Sequence, residues 1–88
     1  MAADVHANAG DLRRFAGNLR DFAKTTESAL SRLNQQFSSV DWNDSQRKKF
    51  EAELQRSIQQ VRSSVRAMEA MPPYLNRLAA AVDEFNRR

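Results

Sequence analysis

Eighty-eight residues, 41% hydrophobic and 28% charged, make one small domain, with little room for an enclosed core and a catalytic cleft together. The absence of cysteine excludes disulfides, thiolate metal sites and thiol chemistry, and two glycines with two prolines leave little turn material, which favours a few long elements. The net charge of +3 is spread over both halves, five basic and four acidic residues in 1–40 and nine and seven in 41–88, a solvated helix surface rather than a lopsided nucleic-acid footprint. No apolar run reaches the roughly 18 residues a membrane span needs. Met1-Ala-Ala-Asp-Val-His lacks a basic stretch followed by an apolar one. The expected location is therefore the cytoplasm, with export only by a route that needs no cleaved leader.

Val5-His6-Ala7 reads as an extended lead-in, followed by Asn8 as N-cap and Asp11 at the third helical position, where its charge favours the helix dipole. From there apolar residues keep a seven-residue beat. Leu12, Leu19, Leu33 and Val40 share one phase, interrupted by Thr26. Phe15, Phe22 and Ala29 follow three positions later, and Ala16, Ala23, Leu30 and Phe37 lie beside them. The stripe, roughly 100° wide or more, marks an amphipathic helix over about 9–38, whose length of roughly 45 Å needs a partner of similar length. Core packing is the expected role of Phe15, Phe22 and Phe37. His6, the only histidine, has no ligand-type neighbour at metal spacing and is expected on the surface.

The turn spans 39–44 and carries the only tryptophan, Trp42. Asn43 and Asp44 are both good caps for a second helix from about 45, and Asn43 has Gln46 three positions on, a weak capping box. The second stripe reads Phe50, Leu54, Ile58, Val61, Val65, Met68 and Met71, with Arg47–Glu51 and Lys49–Glu53 spaced i,i+4 on its outer side. Pro72-Pro73 should kink or interrupt this helix at about 71. Yet Leu54, Val61, Met68, Leu75 and Val82 keep one phase straight through, with Leu78 and Phe85 in the companion phase. The reading is a kinked helix, or two collinear helices with proline in the first turn of the second, ending at about 86.

These elements make an all-α fold, one antiparallel helical hairpin over residues 1–88. Its stripes are wider than a two-stranded seam requires, so a homodimer, or a heterodimer with a related hairpin, closing a four-helix bundle is expected. Leu12, Phe15, Leu19, Phe22, Leu30, Leu33, Phe37, Phe50, Leu54, Ile58, Val61, Val65 and Met68 are the candidate core and dimer stripe. Trp42, Asn43 and Asp44 are the candidate contact at the turn, where the indole either packs across the helix ends or also docks another protein. Arg56, Arg62 and Arg66 have no acid between Leu54 and Met68; a solvated face is the default and a basic patch for nucleic acid the alternative. One isolated histidine, no cysteine and no glycine-rich phosphate loop point away from an enzyme, a metal or a cofactor. The regular heptads suit helix partners better than a lipid surface.

A hairpin of this length with tryptophan at the central turn resembles the WXG family of type VII secretion systems. The resemblance covers nearly the whole chain, through Leu12-Arg-Arg-Phe15-Ala16 early in helix one, Trp42-Asn43-Asp44 at the turn, and Phe50 eight residues after the tryptophan. It departs twice: Asp44 stands where the family has glycine, and Tyr74 is followed four residues on by Leu78 rather than by the acidic residue of the family's export signal. The resemblance implies the fold and the dimer, and a role as secreted substrate, escort or adaptor, with a secretion ATPase or a larger toxin as partners.

Overall fold

The computed structural model describes residues 6–87, and Val5 of the expected lead-in and Arg88 lie outside that range. Helix α1 covers Ala9–Ser38, α2 covers Ser45–Glu69 and α3 covers Met71–Asn86, with no strand among the described residues. The all-α hairpin with a kinked second arm is what the heptad beat demands, and the bend between α2 and α3 is 18°.

Each boundary has a local cause. Asn8 is extended and its side-chain oxygen accepts from the Asp11 backbone N–H at 2.9 Å, satisfying a donor that α1 itself cannot. At the other end Ser39 and Val40 donate to the carbonyls of Gln36 and Phe37 in tightened turns, and the Ser38 and Ser39 hydroxyls donate to the carbonyls of Asn34 and Gln35. Asp44 caps α2 by accepting from the Gln46 N–H at 2.9 Å. The box expected between Asn43 and Gln46 does not form, because Asp44 is the N-cap and its carboxylate takes the Gln46 N–H, while the Asn43 amide donates to Asp41. Both prolines fall in the first turn of α3, where their missing donors would have no partner within that helix. Ala70, between α2 and α3, stays in the right-handed helical region and its N–H still reaches the Arg66 and Ala67 carbonyls. The beat therefore survives the break.

Ala16, Ala23 and Leu30 of α1 are buried against Ile58 and Val65 of α2 and Pro72, Ala79 and Val82 of α3. Leu12, Leu19, Phe37, Leu54, Met68 and Leu75 are half-buried at the borders of this seam. Packing of α1 is more extensive on α3 than on α2. Small residues explain this, since helix axes approach more closely where alanine faces the contact. The molecule is a rod of 68 × 21 × 14 Å. At 1.5 Å per residue α1 is about 45 Å long and α2 with α3 about 62 Å. The last turns of α3 thus run past the start of α1, and His6–Asn8 lie beside Ala81–Asn86 over that overhang.

Candidate functional site: the turn and the open face

At the turn a row of side chains crosses both helices. The Trp42 ring lies 5.6 Å from Phe50, Phe50 lies 5.7 Å from Phe37, and the Arg47 guanidinium sits 4.6 Å above the Phe37 ring. Arg47 also donates to the carbonyls of Val40 at 2.8 Å, Trp42 at 3.0 Å and Phe37 at 3.3 Å. Its charge stands at the negative end of α1, which has no basic residue in its own last turn. The i,i+4 pairs expected for α2 do not form: Arg47 is committed to the turn, and Glu53 pairs with Arg56.

One carboxylate oxygen of Asp44 accepts both the Gln46 N–H and the Trp42 indole N–H, each at 2.9 Å. The family's glycine position here has φ −119° and ψ 179°, an extended backbone open to any residue, and no described residue has positive φ. Glycine's conformational freedom is not needed, and aspartate supplies a cap and an anchor for the indole. The packing role of Trp42 is thus plain, with part of its ring left in solvent. Arg47 and the Phe37–Phe50 pair are what sequence reasoning missed. The signal was Arg47 one turn into α2, within reach of the last carbonyls of a helix that lacks a basic end.

The rest of the hairpin has two unlike faces. On one, side chains reach across the seam: Arg13 to Asp83 at 2.6 Å, Arg62 to Glu27 at 3.0 Å, and Gln55 to Asn34 at 2.8 Å. The flank three residues beyond each seam position points the other way and carries no such bridge. There Phe15 is 56% and Phe22 53% exposed, with Phe50 exposed from the facing flank of α2, Met71 and Phe85 from that of α3, and Leu33 and Val61 exposed closer to the seam. Core packing expected for Phe15 and Phe22 is therefore not met within one chain. Their neighbours Ala16 and Ala23 take the seam at 0% and 1% exposure, because close helix approach selects the small residue of each adjacent pair. Leu12, Leu19, Leu30, Phe37, Leu54, Ile58, Val65 and Met68 do lie at or beside the seam.

The three arginines do not come together as a free basic patch. Arg56 holds Glu53 and Arg62 holds Glu27 across the hairpin, leaving Arg66 as the one of the three without an ion pair among the described residues. No cluster of His, Cys, Asp and Glu among the described residues could hold a metal ion, and His6 is exposed. No helix among them is long and apolar enough to cross a membrane. Tyr74 lies in the first turns of α3, 59% exposed, with Leu78 one turn on.

No curated protein and no solved structure matches the chain. A family model described as proteins of 100 residues with WXG matches residues 4–87. Hairpin, tryptophan at the turn and extent of the match agree, and the chain belongs to the WXG100 family, small helical proteins linked to type VII secretion that typically pair with helical-hairpin partners.

Proposed function

We propose that the protein is a WXG-type interaction module, acting as substrate, escort or adaptor of a type VII-linked secretion or toxin system through pairing of its open face. The single observation that carries this is the burial pattern: Phe15 and Phe22 recur every second turn on the side away from the polar bridges, more than half exposed. A lone apolar side chain on a surface needs no explanation, but an apolar row along a rod marks a contact surface. Trp42, with part of its ring in solvent at the tip, adds a second contact for a larger partner such as a secretion ATPase or a toxin.

The test is Phe22→Lys, which removes an exposed ring and leaves the seam residues in place. Circular dichroism should stay that of the wild type, assembly by sedimentation should be lost, and crosslinking in the native host should no longer recover secretion ATPase or toxin. A Phe22→Lys protein that assembles and crosslinks like the wild type overturns the reading.

A further inference from the structure

We propose that the rod carries a hinge where Gly17 of α1 stands level with the Pro72-Pro73 break of the second arm, and that this hinge sets the curvature of the open face. The level follows from the polar bridges. Arg13, Arg20, Glu27 and Asn34 stand seven residues apart along α1, and Gln55, Arg62, Glu69, Asn76 and Asp83 stand seven apart along α2 and α3. Asn34 meets Gln55, and one step on Glu27 meets Arg62. Ten residues back from Glu27 is Gly17, and ten forward from Arg62 is Pro72. Both arms rise equally per residue, so the two lie side by side across the hairpin.

Three weaknesses coincide at this level. In the second arm, Pro72 and Pro73 lack the N–H groups that the carbonyls of Met68 and Glu69 would take in an unbroken helix. Helices α2 and α3 also touch each other less than either touches α1. In α1, Gly17 is a poor helix former at an interior position. Packing does not demand it, since a Cβ there would meet no atom within 4 Å and its φ is not positive. Between the arms, the next step of the polar line would join Arg20 to Glu69, yet neither holds an ion pair among the described residues. The line resumes only at Arg13, which passes Asn76 and takes Asp83. Interruptions of the backbone ladder are where helices bend. Phe15 lies on the open-end side of this level and Phe22 on the turn side, so flexing there changes the angle between the two halves of the apolar flank. The hinge belongs to the chain by itself; its use by a partner rests on the interaction-module reading.

The chain has no cysteine, so Gln59→Cys with Ala80→Cys places two spin labels on exposed sites either side of the break, about 31 Å apart by helical rise. Diluted with unlabelled protein, this pair should give a broad distance distribution by electron paramagnetic resonance. Lys48→Cys with Ser63→Cys, inside α2, should give a narrow one. Adding Gly17→Ala and Pro73→Ala, neither of which touches a buried position, should narrow the first distribution by about twofold and leave the second unchanged. The same stiffened chain should recover severalfold less secretion ATPase or toxin by crosslinking in the native host. A single narrow distance across the break in the wild type overturns the hinge. A distribution that stays as broad after both substitutions overturns its placement at Gly17 and Pro72-Pro73. Unchanged crosslinking by the stiffened chain overturns the coupling of curvature to binding. The distances are read from the chain alone, so failure of the Phe22→Lys test leaves the hinge standing, and a rigid wild-type rod leaves the interaction module standing.

Discussion

At the turn the packed side chains are large and all partly exposed, Phe37, Trp42 and Phe50, and polar bonds from Arg47 and Asp44 fix their places. At the open end the packed side chains are Ala16, Ala79 and Val82, all buried, and a single ion pair, Arg13–Asp83, crosses between the helices there. A short connection brings α1 and α2 together at the turn whatever packs between them, so aromatic bulk is tolerated and hydrogen bonds set the geometry. At the far end nothing covalent holds the arms, and close approach of two helix surfaces must supply the attraction. Dispersion falls steeply with separation, which makes small residues the effective choice there.

The sharpest way to break that contrast is to add volume. Ala79 is fully buried on α3, and Ala79→Leu should destabilise by about 1–3 kcal/mol, because the added carbons force the axes apart or the side chain off its rotamer. Urea unfolding followed by far-ultraviolet circular dichroism measures it. Val40→Leu, a similar enlargement at the exposed turn, should change stability by only a few tenths of a kcal/mol. Equal costs at the two ends would refute the contrast. Removing polar groups should rank the ends the other way. Arg47→Ala strips three carbonyls of a donor and Phe37 of its cation, and should cost about 1–2 kcal/mol given partial exposure of the site. Arg47→Lys should recover only part, since an ammonium cannot reproduce the planar fork over the ring.

The contrast also explains what the sequence could and could not disclose. Helices α1 and α2/α3 were legible because the seven-residue beat runs the length of both arms, interrupted only at Thr26, and Asn8 and Asp44 are strong caps. The kink was legible from Pro72-Pro73 with Leu75 and Val82 still in phase. Which apolar line faces the seam was not. Phe15 beside Ala16, and Phe22 beside Ala23, satisfy the same periodicity, and burial preference alone assigns the phenylalanines to the core. Only the distance between helix axes decides between them, and that distance is a property of both arms at once. Arg47 escaped for a related reason: Glu51 at i+4 is its obvious local partner, while the carbonyls it selects belong to the turn and to the preceding helix.

Asp44 tests a smaller part of the turn. Asp44→Ala removes the α2 cap and should cost about 1 kcal/mol, while Asp44→Gly, which writes the family's Trp-X-Gly, should cost a few tenths, since glycine is itself an acceptable N-cap. Both lose the acceptor for the indole N–H, so both should shift the fluorescence of the single tryptophan. Equal stability losses for Ala and Gly would show that the indole anchor, rather than the cap, carries the residue's contribution.

The smallest effect belongs to the open end's ion pair. Arg13 and Asp83 meet at 2.6 Å, but both side chains are over 40% exposed. Solvent screening and the entropy of holding a long side chain offset most of the attraction, so Arg13→Ala should cost no more than about 0.5 kcal/mol, and less at high salt. The pair does more for geometry than for stability. Arg13 leans toward the start of α1 and Asp83 toward the start of α3, as helical side chains do, so the contact spans an axial offset between them and resists sliding of α3 along α1. Hydrogen exchange in α3 should therefore rise in Arg13→Ala more than its unfolding midpoint falls. Were exchange unchanged, the alanine seam alone would be setting the register, and the two ends would differ even more than their side chains suggest.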